Sequence, residues 1–389
     1  MDSSAWSRHG PLYAAGFTTA FGAHAIAANL GGFSDDAVTS LLVLGGLLAM
    51  YDLAEVVLKP VFGTLADRVG AKPVLLGGLI AFAAACTLYV VIPSTSWLWA
   101  ARLGQGSAAS AFSPAASALI ARLNSTTKHG RAFGSYGFFK SIGYTLGPLL
   151  GGVLVWVGGL RLVFAVLAVL AVAVAGWAAV RVPAVAPLPR SRQTLVDLTR
   201  RLADRSFLVP TCALAAATAA ISVGVGFLPV IGSAAGFGPV TTGVAVSLLA
   251  ASGAIVQPYA GRALDAGRLA TRTGIAVGMA VTAVGLVCAT VSGLVGVVAG
   301  AVLIGFGTGL MTPLGFAALA AATAPERLGQ TMGSAEVGRE LGDAGGPLAV
   351  GALATATTLT YGFLGLAAIL AIGSLVIRAA YRRTVPASP

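Results

Sequence analysis

Asp52, Glu55 and Lys59, Arg102, Lys140, and Glu336, Arg339, Glu340 and Asp343 all sit inside stretches that are otherwise apolar. A charge in such surroundings costs about 2.5 kcal/mol or more at mid-membrane depth and persists there only paired, hydrated or functional. A carboxyl group so placed can pair with a cation in one conformation and take a proton in another, because desolvation favours the neutral acid and a neighbouring cation the ionised one. Counting inward at about 1.5 Å per residue puts Glu55 and Arg339 at similar depths, about 12 Å from the helix ends. Asp52 has no basic residue three or four positions away, Glu55 has Lys59 four positions on, and Asp343 has Arg339 on its own helix. That ranks Asp52 and Glu55 ahead of Glu336, Glu340 and Asp343 as proton carriers. The four-residue spacings Glu336 to Glu340 and Arg339 to Asp343 suit a static ion-pair lattice as well. His24, Asn29, Gln105 and Lys140 are the polar side chains expected to line a substrate cavity, with His24 readable as a hydrogen-bonded core histidine or as a proton relay.

Other chemistries find no support. Cys86, Cys212 and Cys288 fall singly in apolar segments, so neither a disulfide framework nor a metal site is expected. No G-x-x-x-x-G-K-[ST] phosphate loop is present, so ATP-driven work is not expected, nor is a cofactor or an enzymatic activity.

The elements that position these residues follow from composition. The 389 residues are 57% hydrophobic and 10% charged, whereas soluble domains carry about 25% charged residues. The apolar runs are long and continuous rather than alternating, which selects membrane-spanning helices over barrel strands. Six are predicted over Pro11–Gly32, Ala37–Phe62, Pro73–Ile92, Trp97–Ala121, Ala132–Val157 and Leu160–Val180. Six more follow over Phe207–Ile231, Pro239–Gly261, Thr273–Val291, Leu294–Ala322, Gln330–Thr355 and Leu359–Arg378. The first run is read as a retained helix, not a signal peptide. The expected organisation is an amino-terminal six-helix bundle (1–182), a linker (183–206) and a carboxy-terminal six-helix bundle (207–389). Within the linker, Leu195, Leu198 and Leu202 have the spacing of either an amphipathic surface helix or a solvated one.

The two halves repeat. Ser135–Leu154 carries G-x-x-x-G-P-x-x-G-G at Gly143, Gly147, Pro148, Gly151 and Gly152, and Ser334–Leu353 aligns with it without a gap, placing Arg339 on Lys140, Gly342 on Gly143, Gly346 on Gly147 and Pro347 on Pro148. Glycines four apart form a flat helical stripe that lets another backbone approach, and the proline frees a carbonyl and bends the helix. Pro60, Gly63 and Asp67 recur as Pro258, Gly261 and Asp265 at a shift of 198, and Ser113 with Pro114 recurs as Thr312 with Pro313 at 199. A nearly constant shift argues for two repeats of the same orientation.

The glycine–proline pattern of the first half resembles the antiporter motif in the fifth helix of twelve-helix drug exporters of the major facilitator superfamily. GTLADRVGAKP, with Gly63, Asp67, Arg68, Gly70 and Lys72, resembles the superfamily's loop motif, departing at Ala71 where a basic residue is usual. RLGQGSAA, with Arg102 and Gln105, resembles the exporters' fourth-helix motif. The resemblance implies an all-α major facilitator fold of two pseudo-symmetric bundles and a secondary transporter. It also implies a gate at Asp67 and a part in proton coupling for Arg102, whose counterpart Ala301 shows that packing symmetry does not require the charge; an arginine reaching to the interface is the plainer reading. Many such exporters hold a carboxylate in the first helix, where this chain offers only His24 and Asn29. Expected partners are a small apolar or amphipathic substrate, protons and the lipid bilayer, with the chain acting as a monomer. A polar metabolite such as a sugar or amino acid is the alternative cargo.

The formal charge of +11 lies in short connections rather than on one soluble face, which argues against nucleic acid. The connections rich in Lys and Arg all fall on one side of the predicted bundle, and the opposite side holds almost only Arg161. This bias predicts an inner-membrane protein with both termini in the cytoplasm.

Overall fold

The computed structural model describes residues 3–27, 37–92, 94–187 and 203–382. Among them the chain forms twelve long helices and no strand. These are α1 (Ser3–Ala27), α2 (Ala37–Val69), α3 (Ala71–Val91) and α4 (Thr95–Arg122), then a helical run His129–Arg181 broken at Gly158 and Gly159 into α5 (129–157) and α6 (160–181). The rest are α7 (Arg205–Ala234), α8 (Pro239–Asp265), α9 (Thr271–Ala289), α10 (Leu294–Ala321), α11 (Leu328–Ala356) and α12 (Leu359–Arg382). Asn29 and the leucines of the linker lie outside the described residues.

The breaks have local causes. Gly159 turns the chain between α5 and α6 at φ +68°, and Gly70 does the same between α2 and α3 at φ +102°, a region that a Cβ disfavours. Asp204 caps α7, its carboxylate accepting a 2.7 Å hydrogen bond from the Ser206 backbone N–H. Hydrogen bonds from Ser206 hold that carboxyl below the usual carboxylate range. Seven helical stretches among the described residues are long and apolar enough to cross a membrane, one of them the α5–α6 run. Helix α11, with Glu336, Arg339, Glu340 and Asp343, is too polar to count among them.

The helices assemble into two compact units. The first holds Met1–Ser125, Phe139–Arg192 and Thr323–Val337; the second holds Thr126–Phe138, Gln193–Ala322 and Gly338–Pro389. Each unit therefore contains the opening turns of a helix whose remainder lies in the other. In the first unit α4 is the inner helix, packed on α1, α2 and α3 and buried without interruption from Ala108 to Ala121. In the second α10 takes that place against α7, α8 and α9, around Ile304, Met311 and Leu314. Small residues let the backbones pack closely, and large apolar side chains such as Phe112 in the first unit and Phe363 in the second fill the remaining core.

Candidate functional site

Along α2 the residues Tyr51, Glu55, Lys59, Gly63 and Asp67 recur every fourth position and so follow one another along one side of the helix. The opening turns of α11 belong to the same unit and approach this side closely, since α11 also carries small residues at fourfold spacing, Gly329 and Gly333. A Cβ on Gly63 would collide with the Gly329 carbonyl, and one on Gly333 would stand 2.5 Å from the Lys59 carbonyl. One step further along α11 comes Glu336.

The close crossing buries four charges in the first unit. Lys59 Nζ donates to Glu55 Oε2 at 2.8 Å and lies 3.7 Å from Glu336 Oε2, while Lys140 Nζ of α5 lies 3.6 Å from that same oxygen. Glu336 is fully buried, Lys59 is 1% exposed, and Glu55 and Lys140 are 4% and 6% exposed. Two carboxylates against two ammonium groups make a neutral set, the condition under which buried charges are tolerated in a low dielectric. One oxygen of Glu336 is shared by two cations, so a proton placed on Glu336 weakens two attractions at once.

Below this set, Asp67 closes the crossing. Its Oδ1 and Oδ2 accept the Gly329 and Gln330 backbone N–H groups, each at 2.8 Å, so the carboxylate caps the amino terminus of α11. Arg122 Nη2 donates to Asp67 Oδ1 at 3.3 Å and to the Pro325 carbonyl at 2.9 Å. Arg68 is exposed, and Lys72 donates to the Ala179 carbonyl at 2.8 Å, at the end of α6.

Above it, Arg102 of α4 is 1% exposed and does not reach for the interface. Its Nε donates to the Leu47 carbonyl at 3.4 Å and its Nη1 to Gln105 Oε1 at 3.3 Å, and the guanidinium lies 4.4 Å from the centre of the Tyr51 ring. Gln105 in turn donates to Cys86 Sγ at 3.1 Å. Asp52 and Glu55 interact with Arg102 through space, so exposed Asp52, which has no basic neighbour on its own helix, finds one on α4.

The second unit repeats the crossing between α8 and the start of α5. Asp265 accepts from the Gly130 and Arg131 backbone N–H groups at 2.9 and 2.7 Å, Gly261 meets Gly130, and a Cβ on Gly134 would stand 2.5 Å from the Gln257 carbonyl. Here Gln257 occupies the place of Lys59, Gly253 that of Glu55 and Gly137 that of Glu336.

Residues 12–275 and 212–389 match the Major Facilitator Superfamily. The chain belongs to the Major Facilitator Superfamily. It is therefore a multi-pass membrane protein and a secondary transporter of small molecules, not an enzyme. The fold agrees: the human organic anion transporter MFSD10 (TETRAN) superposes with a TM-score of 0.79 at 16% identity, over 95% of this chain and 99% of that one. The E. coli fucose:proton symporter FucP superposes at 0.78 and 14% identity, over 95% and 98%. Sequence relatives are partial. Quinolone resistance protein NorA of Staphylococcus aureus is 32% identical over 109 residues, and tetracycline resistance protein class G of Vibrio anguillarum is 35% identical over 112. Each match spans 28% of this chain and 28% of the relative.

The remaining expected positions of this Major Facilitator Superfamily transporter divide between packing and polar contacts. A Cβ on Gly143 would stand 2.6 Å from the Phe17 carbonyl and one on Gly147 2.9 Å from His24 Cβ, so the glycine motif seats α5 on α1. Gly342 and Gly346 seat α11 on α7 in the same way, at Ala215 and Ala219. Gly151 is buried, Gly152 and Pro347 are half-buried and Pro148 is exposed. His24 Nδ1 donates to the Ala20 carbonyl at 3.1 Å, with the ring edge-on to Tyr144 at 4.5 Å. In the second unit the Arg339 guanidinium lies 5.7 Å from the Phe316 ring centre, Thr218 donates to the Arg339 carbonyl, Glu340 is half-buried, and exposed Asp343 accepts from Ser222.

Lys59, Arg122, Tyr51, Gln257 and Asp265 join the site although the motifs did not single them out as site residues. The signal for Lys59 was available: it lies eight residues before Asp67 on the gate side of α2, next to the small-residue stripe.

Proposed function

We propose that this transporter is a proton-coupled exporter of small apolar or amphipathic compounds, working by alternating access in the cytoplasmic membrane with both termini in the cytoplasm. The observation that carries this reading is the buried, neutral set Glu55–Lys59–Glu336–Lys140 at a helix crossing. Protonating Glu336 removes the charge that holds Lys59 of α2 and Lys140 of α5 to α11, leaving the two ammonium groups against each other with Glu55 alone to offset them. The crossing then loosens and the cytoplasmic side opens; loss of the proton to the cytoplasm restores the set and closes it. A carrier that uses protons this way admits them from outside and returns with cargo. The glycine–proline motif and the partial similarity to the quinolone and tetracycline resistance proteins support export as its direction, and the basic bias of one set of connections supports the cytoplasmic placement of both termini.

The test is purified protein in liposomes with an imposed pH gradient. A lipophilic dye should move against the proton flow, and an uncoupler should stop it. Movement of dye without regard to the gradient, or movement of a sugar or amino acid along with the protons, would overturn the reading.

A further inference from the structure

A groove of about 520 Å³ runs along the outer surface of the first unit, lined by apolar and small residues of α2, α3 and α4, among them Phe62, Val69, Pro73, Gly77, Gly104 and Ser107. Helix surfaces that face lipid carry no groove unless small residues carve one. The repeat shows where this one is carved. The shift of 199 that relates α4 to α10 puts Leu303 at the place of Gly104 and Phe306 at that of Ser107. In the α3–α9 pair, Gly78 meets the Ala108 carbonyl as Gly278 meets the Gly307 carbonyl, which puts Val277 at the place of Gly77. At all three positions the first half is small where the second is large. A Cβ on Gly77 would meet nothing within 4 Å, so the space beside it is open.

From this difference we infer that the groove holds an acyl chain of an anionic phospholipid. The lining makes it a place for hydrocarbon. Its end at Val69 and Pro73 reaches the turn between α2 and α3, where Arg68 is exposed and Lys72 is half-buried. A tail in the groove brings its phosphate to these two cations, and each basic residue near a membrane surface favours an anionic headgroup about five-fold. The second half has basic residues at the equivalent turn, Arg268 and Arg272; the counterparts of the groove's α3 and α4 walls are larger, Val277, Leu303 and Phe306, and those of its α2 wall are smaller, Ala260, Ala263 and Gly267. This site is separate from the buried ion pairs and does not depend on the direction of transport.

The experiment is native mass spectrometry of the full-length protein in detergent with phosphatidylglycerol or phosphatidylcholine of the same acyl chains. Wild type should retain one phosphatidylglycerol about 25-fold more than phosphatidylcholine, about five-fold for each of the two cations. Gly77→Leu, which fills open space, should lose the bound lipid, and Ser107→Phe, which copies the second half, should do the same. Arg68→Gln should retain lipid but lose most of the headgroup preference. Equal retention of the two lipids by wild type, unchanged retention by both filled variants, or occupation of the groove by a second copy of the chain in place of lipid would overturn the inference.

Discussion

At the α2–α11 crossing of the first unit, Asp67 caps the start of α11 and glycines bring the backbones together; at the α8–α5 crossing of the second, Asp265 caps the start of α5 and glycines do the same. A step along each crossing the likeness ends. The first carries Lys59, Glu55 and Glu336, and the second Gln257, Gly253 and Gly137. Gln257 still packs closely, since a Cβ on Gly137 would collide with its side-chain oxygen. A crossing of this geometry can therefore be made without any buried charge. The charges of the first unit are not the condition of its packing, and their retention at a cost in desolvation points to work that packing does not require.

The sharpest way to break this comparison is Glu336→Gln. It leaves Lys59 and Lys140 buried with Glu55 alone to offset them, and a broken buried pair costs about 3–5 kcal/mol. The thermal midpoint in detergent should drop and proton-driven accumulation in liposomes should vanish. The double variant Lys59→Gln with Glu336→Gln, which moves the first crossing toward the second, should recover much of the stability and none of the coupling. Full pumping by the double variant would reduce the charges to an ornament of packing.

Next in size is the glycine motif. Gly147→Leu drives a side chain into His24 and Gly346→Leu into Ala219, each forcing a helix pair apart. Overpacking costs about 1–3 kcal/mol or more, and transport should be lost while membrane insertion, followed by fractionation, persists. Normal transport by Gly147→Leu would mean that α1 and α5 tolerate separation.

Arg102→Lys tests a second asymmetry, because the counterpart of Arg102 is Ala301. An ammonium group cannot serve Leu47, Gln105 and the Tyr51 face together as the planar guanidinium does. Losing one charged hydrogen bond costs about 1.5–3 kcal/mol, read as a lower melting midpoint together with weaker coupling. Wild-type behaviour would show that a point charge suffices.

The last test is a difference of differences. Asp67→Asn and Asp265→Asn each weaken a helix cap, but Asp67 also receives Arg122. Asp67→Asn should destabilise more than Asp265→Asn by about 3 kcal/mol, because the Asp67–Arg122 pair is buried, measured by thermal unfolding of the two variants in parallel. Equal losses would show that Arg122 adds nothing beyond the cap.

Much of the fold was legible because its determinants are local. Apolar run length places the helices, and the repeat spacing brings Asp265 into line with Asp67 before any coordinates are known. The ion set was less legible, because depth alone does not say which way a side chain turns. Counting from the helix end matches Arg339 with Glu55, yet Glu336 is the residue that continues the Gly329–Gly333 stripe toward α2, whereas Arg339, three positions on, lies over Phe316. The stripe carried the information; the depth count ignored it. The apolar groove was illegible for a different reason, since it is made of space left by Gly77, Gly104 and Ser107 and shows in sequence only when the repeats are laid side by side.

The opening turns of α11, Thr323–Val337, complete the first unit, as Thr126–Phe138 complete the second. During synthesis the first six helices thus leave the ribosome with the Lys59–Gly63 side of α2 uncovered, and it stays so until residue 337 has been made. The amino-terminal half must wait in the bilayer with an unfinished seam, and expressed alone it should be a target for membrane proteases that co-expression of the carboxy-terminal half relieves.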